Sequence, residues 1–191
     1  MESKKKRIIV GISGASGTPL AKRLLETLSL IPEIEIHLIA TKGAEVTCTY
    51  ETDAPFSEIA CYAHKVYDVT NLGEAPASGT FCTDGMIIIP CSMKTLAGVA
   101  SGYSDNLLLR AADVTIKQKR PLVLVPRESP LSPIHLRNME FLSTLPEVHI
   151  VPPVFSYYLK PSTLEEMEYH IVAKILACFD IEAPGATHWK D

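Results

Sequence analysis

Arg7 to Gly17 reads RIIVGISGASG, and the reading of the whole chain turns on this stretch. Ile8, Ile9, Val10 and Ile12 form an apolar run of strand length without polar alternation, the pattern of a strand buried on both faces. The glycines beyond it end the strand abruptly. Gly14 and Gly17 admit positive φ and close approach of the backbone to a ligand, while Pro19 suits the first turn of a helix running through Ala21, Leu24, Leu25 and Leu28. Unpaired N–H groups at such a helix start, joined by the Ser13 and Ser16 hydroxyls, predict an anion site that fits a phosphate. The loop departs from G-x-G-x-x-G, because Ser13 stands where the middle glycine would be, and a first βα turn is also glycine-rich for packing alone.

Further along, the pattern repeats. Glu35 to Ala40 is a second short apolar run, followed by a helical stretch from Thr41 to Tyr50. A dinucleotide-binding domain places an acid near the end of that second strand, whereas this chain has Thr41-Lys42, which argues against NAD and leaves a mononucleotide. Asp53 to Phe81 is the least regular segment: a short helix over Phe56 to His64, a short strand near Val66, then loop marked by Gly73, Pro76 and Gly79, a candidate mobile excursion. Met86 to Ile89 is a buried strand ending at Pro90, and Cys91-Ser92-Met93-Lys94-Thr95 opens a helix of small residues through Ala100. Asn106 to Arg120 reads as helix, Leu122 to Val125 as strand, Pro130 to Leu145 as helix and Val148 to Val151 as the last strand. Pro161 to Phe179 reads as a closing helix, opened by Ser162 with Glu165 at capping-box spacing. Strands alternating with helices predict an α/β fold: one doubly wound, mostly parallel sheet with helices on both faces, a single domain over 1–191 with a flexible 1–6.

Composition bounds the function. A chain of 191 residues, 47% of them hydrophobic, is one domain's length with ample core. The net charge is −4 and the only basic run is Lys4 to Arg7, so nucleic acid is not the expected partner. No apolar run approaches the roughly 18 residues that span a bilayer, and the basic start leads straight into a strand, which predicts a cytoplasmic protein without membrane contact. The five cysteines are widely spaced without a C-x-x-C pair, so they read as reduced thiols, neither a disulfide framework nor a zinc site.

Ligands of an open parallel sheet bind at the carboxyl ends of its strands, where the strand order reverses. Four such ends carry polar groups: Ser13 to Gly17, Thr41, Cys91 to Thr95, and Arg127-Glu128. Arg127 directly follows the strand LVLV, so its guanidinium is predicted to point into the site and clamp a phosphate, with Glu128 beside it to hold or move a proton. Arg110 and Lys117 share a helix face with Asp113 between them, which by itself reads as a solvated face with an ion pair. Tyr157 and Tyr158 either lend a hydroxyl to the pocket or pack as an amphipathic loop. Cys91 at a helix start is a candidate nucleophile with Lys94 nearby but no base partner. The six histidines are dispersed, so His135 reads as a core or surface residue rather than a base, and no metal site is expected.

GISGASG, ASGTFCTDGMIIIPCSMKTLAG, NLLLRAADVTIK, RPLVLVPRESPLSPIHLRNM and the Tyr158 to Trp189 region together resemble the UbiX-like flavin prenyltransferases, formerly described as phenylacrylic or hydroxyarylic acid decarboxylase subunits. The likeness runs in order over essentially the whole chain. It implies a Rossmann-like or flavodoxin-like flavoprotein that assembles as a dodecamer and binds FMN. The implied reaction moves a dimethylallyl group from dimethylallyl phosphate to reduced FMN, building a fourth ring across N5 and C6 without a metal. The product, prenylated FMN, serves a UbiD-type decarboxylase. The resemblance assigns Gly14, Ala15, Ser16, Thr41, Ser92, Met93, Lys94, Thr95 and Arg127 to FMN. Ser16 and Glu51 then lie near the reacting flavin. Arg110, Lys117, Glu128, Tyr158 and Lys174 surround the prenyl phosphate, with Glu128 set for proton transfer and Trp189 near the prenyl pocket. Thr41 stands where the family often has serine, and Lys174 where it often has arginine, keeping the charge without the bidentate fork. Two other readings are an FMN-binding subunit of a phenolic acid decarboxylase and a flavin-dependent cysteine decarboxylase. The PCSMKT segment disfavours the second, whose relatives carry a PASANT-like segment.

Overall fold

The computed structural model describes residues 5–186. Its six strands are β1 (Lys6–Ile12), β2 (Ile34–Ala40), β3 (Lys65–Tyr67), β4 (Gly85–Cys91), β5 (Leu122–Pro126) and β6 (Val148–Ile150). All neighbouring pairs are parallel, in the order β3-β2-β1-β4-β5-β6. This is the Rossmann-type order, in which the chain winds outward from β1 to one edge and then returns to build the other half. The order reverses between β1 and β4.

Alternation along the strands explains why β4, β5 and the Ile8 to Ile12 part of β1 lack polar residues. Ile8, Val10 and Ile12 join Ile87, Ile89, Val123 and Val125 in one core, where they meet α1 (Thr18–Ser29) and α7 (Leu164–Ala177). Ile9, Met86, Ile88, Leu122 and Leu124 point the other way, onto α4 (Met93–Ser101), α5 (Leu107–Lys117) and α6 (Pro133–Ser143). Side chains two apart share a face, so a strand covered on both sides is apolar at every position. Between β2 and β3 lie α2 (Lys42–Glu51) and α3 (Phe56–Ala60).

Several local expectations change. Lys6 already pairs with Ile34, so strand replaces the end of the segment expected to be flexible. The helix at Phe56 stops at Ala60, and α6 begins at Pro133 rather than Pro130. Ser132 caps α6 by accepting from the His135 N–H at 3.2 Å, while the His135 ring accepts from the Ser132 N–H at 3.2 Å, so His135 is a capping residue. Thr163, not Ser162, caps α7; it accepts from the Glu166 N–H, and the Glu166 carboxylate turns back to the Ser162 N–H and hydroxyl. Both Ser162 and Thr163 have a glutamate three residues on, so spacing alone did not separate them.

The irregular stretch is pinned. Arg120 donates to the carbonyls of Gly79 and Phe81 at 3.0 Å each and to the Thr83 hydroxyl, and Arg110 Nε donates to the Ala77 carbonyl at 3.2 Å. Four charge-assisted hydrogen bonds, from Arg110 within α5 and Arg120 just beyond it, replace a regular ladder there.

Candidate active site

The carboxyl ends of the strands gather the loops. Gly17 caps α1 at φ 128°, a conformation glycine adopts without steric cost, and it has no side chain to accept from the first N–H groups. Glu51, the last residue of α2, supplies the acceptor. Its carboxylate accepts from the Gly17 N–H at 3.0 and 3.1 Å and from the Thr18 N–H at 2.8 Å. Burial works to raise the Glu51 pKa, but hydrogen bonds from the Ser16 hydroxyl and from the Gly17 and Thr18 N–H groups outweigh it and hold the carboxyl below its usual range. The helix dipole acts in the same direction. The expectation of an open anion site at this helix start is therefore corrected: an internal carboxylate fills it.

Gly14 is explained by packing. A Cβ there would lie 3.0 Å from the backbone of Gly43, so this glycine lets the first βα loop touch the first turn of α2. It is Gly17, not Gly14, that takes positive φ.

At the start of α4 the donors are differently disposed. The Ser92 hydroxyl accepts from the Thr95 N–H at 3.2 Å and donates to the Thr95 hydroxyl at 3.0 Å, which leaves the N–H groups of Met93 and Lys94 in the first turn without intrahelical partners. The Lys94 side chain is exposed beside them. Thr41 caps α2 in the same manner, accepting from the Ala44 N–H at 3.2 Å. Cys91 is the last residue of β4, not the first of a helix; it is fully buried, and burial pushes its thiol up, which corrects the idea of an activated nucleophile.

A cavity of about 430 Å³ opens against Glu51. Ser16, Gly17 and Arg127 line its polar side; Phe155 and Leu164 are among its apolar walls. Arg127 Nε donates to the Ser16 carbonyl at 3.3 Å, so the guanidinium does turn into the site. Glu168 of α7 also lines this cavity; burial pushes its carboxyl up, and Arg23 lies 3.8 Å away. No periodicity singled out Phe155 or Glu168, since their place depends on how the segment after β6 folds back.

Tyr158 and Lys174 come together in an adjoining cleft of about 840 Å³, with Phe155 on the wall between the two spaces. Tyr157 lines that cleft too. The other assigned residues do not converge within one chain. Glu128 is exposed, its Oε1 accepting from the Ser129 N–H at 3.0 Å. Arg110 pairs with Asp113 at 2.7 Å on α5, and Lys117 is exposed at that helix's end; neither lines the two spaces. Trp189 lies outside the described residues.

The Flavoprotein family model matches residues 1–191. A probable UbiX-like flavin prenyltransferase of Sedimentibacter hydroxybenzoicus is 48% identical over 96% of this chain and 97% of its own length. The chain belongs to the UbiX-like flavin prenyltransferase family. Among solved structures, the dodecameric FMN-dependent UbiX-like decarboxylase of Escherichia coli O157:H7 superposes with a TM-score of 0.94 at 45% identity, covering 97% of this chain and all of that one. AnUbiX in complex with FMN and dimethylallyl pyrophosphate superposes at 0.92 with 40% identity, over 97% and 100% of the two chains. A UbiX-like likeness of this extent places the six-stranded sheet, the first loop and the α4 start within one family architecture.

Proposed function

We propose that this protein is a flavin prenyltransferase, joining the dimethylallyl group of dimethylallyl phosphate to reduced FMN to give prenylated FMN. The observation that carries the reading is Glu51, held ionised beside Ser16 and Arg127 in a partly apolar cavity at the point where strand order reverses. FMN fits these residues: the open N–H groups of Met93 and Lys94, with Ser92, Thr95, Thr41 and the Lys94 charge, suit its phosphate, and the cavity lined by Ser16, Arg127 and Phe155 suits a flat ring. When bound, reduced flavin supplies the nucleophilic edge for the allylic carbon.

The chain's own residues do the rest. An allylic phosphate leaves when its developing charge meets preorganised cations, a role for Lys174 with the Tyr158 hydroxyl, while Arg127 serves FMN. Phe155 and Leu164 exclude water from the carbon that becomes cationic. Glu51 accepts a proton through Ser16, and Glu128 handles a second one. Arg110 and Lys117 lie away from both spaces in one chain, so their assigned contact with the prenyl phosphate requires a second copy, consistent with a dodecameric assembly. The product passes to a UbiD-type decarboxylase, and the reaction belongs in the cytoplasm, in keeping with five free cysteines.

Mass spectrometry of the flavin after incubating reduced FMN and dimethylallyl phosphate with the purified protein tests this. A gain of one prenyl unit is expected; an unchanged flavin, with decarboxylation only in the presence of a partner chain, would favour the subunit reading. Lys174→Ala should raise the KM for dimethylallyl phosphate by about one to two powers of ten, the worth of a charge-assisted hydrogen bond of roughly 1.5–3 kcal/mol, and leave FMN affinity unchanged. Separate titrations check it, and weakened FMN binding alone would move Lys174 to the other ligand.

A further inference from the structure

Ser13 occupies the place where a dinucleotide loop has its middle glycine, and its side chain is only 1% exposed. Its hydroxyl donates to the Pro90 carbonyl at 2.8 Å and accepts from the Ser92 N–H at 2.7 Å, while its own N–H donates to the same carbonyl at 3.2 Å. The hydroxyl is thus engaged as both donor and acceptor, inside the protein, and is not offered to a ligand. These contacts cross from the end of β1 to the end of β4, at the reversal of strand order. Ser92 is the N-cap of α4, so the residue that begins that helix takes its orientation from β1.

In a dinucleotide-binding loop the middle glycine leaves room for a pyrophosphate above the first strand. Here that room holds a side chain, and the neighbouring helix start at α1 holds Glu51. Both positions are thus taken by the protein's own groups. We propose that Ser13 is a positioning residue that sets the α4 start, and with it the phosphate seat, relative to the Ser16–Glu51 pair; this rests on the FMN reading above.

The test compares FMN with riboflavin, which lacks the phosphate. Each is titrated by flavin fluorescence quenching against the wild type and Ser13→Ala. Loss of the hydroxyl leaves the Ser92 N–H without its acceptor, and FMN affinity should fall about tenfold, equivalent to roughly 1.4 kcal/mol, with riboflavin affinity unchanged. Equal losses for both flavins mean a merely structural role and overturn the proposal, as does no loss. If Ser13→Ala does not fold, Ser13→Cys, with a thiol that hydrogen-bonds weakly, must still lower the FMN-to-riboflavin ratio, and an unchanged ratio overturns the proposal. A wild type that binds FMN no better than riboflavin would instead remove the FMN phosphate seat itself.

Discussion

Two helix starts follow the carboxyl ends of the adjacent strands β1 and β4 and are built in opposite ways. That of α1 follows the glycine-rich GISGASG and has the glycines and hydroxyls by which an anion site is read from sequence, yet Glu51 already satisfies its Gly17 and Thr18 N–H groups. That of α4 begins within PCSMKT, with Ser92 as its cap, has no glycine in its first turn, and leaves the Met93 and Lys94 N–H groups open next to a lysine. The difference teaches that glycine in a βα loop reports close backbone packing, as between Gly14 and Gly43, and does not by itself report a vacancy. A helix start becomes a ligand site only when no internal carboxylate has taken it.

The sharpest way to break the comparison is Glu51→Gln. If the α1 start serves proton transfer, turnover should fall by about 10²–10⁴-fold, the usual worth of a positioned acid or base, while FMN affinity stays unchanged. Steady-state kinetics with a parallel FMN titration decides it, and loss of FMN binding would return the phosphate to α1. The same variant has a pH signature. Because the Glu51 pKa is lowered in the folded state, its stabilisation is present above the unfolded pKa and is lost as the pH falls through the folded one. Wild type should therefore melt higher than Glu51→Gln at neutral pH, with the gap closing on acidification below the ordinary carboxylate range.

A smaller effect is expected on the other side. Lys94→Ala should weaken FMN by about tenfold, the low end for a charge-assisted hydrogen bond, and leave riboflavin unaffected, as read by fluorescence quenching. Of comparable size, but in stability rather than binding, is Gly17→Ala, which forces a side chain to φ 128° with its Cβ 3.3 Å from Pro90, and should cost about 1–2 kcal/mol in denaturant unfolding. The least effect is at Cys91: native protein treated with iodoacetamide should be modified at the exposed Cys61 and Cys82 and remain unmodified at Cys91.

Much of the fold was legible because it rests on short-range pattern. Apolar runs at Ile8, Met86 and Leu122 mark strands covered on both faces, and Pro19, Thr41, Ser92 and Asn106 all fall at helix starts. Strand order was not legible from spacing, since it depends on which apolar edges meet. The site was legible in its parts but not in its connections. Nothing local says that Glu51, 34 residues from Gly17, caps another helix; the one sign is an acid at the end of α2, where the dipole disfavours it unless it is bound elsewhere. The resemblance named Glu51 beside Ser16 but not the Gly17 and Thr18 N–H groups that hold it. Phe155 and Glu168 were missed because the segment after β6 has no periodicity to fix where it folds back.

The most direct test of this division of labour is a crystal structure of the protein soaked with FMN. The phosphate should accept hydrogen bonds from the Met93 and Lys94 N–H groups, with the Glu51 carboxylate still on Gly17 and Thr18. A phosphate seated on the Gly17 and Thr18 N–H groups, with Glu51 displaced, would contradict it.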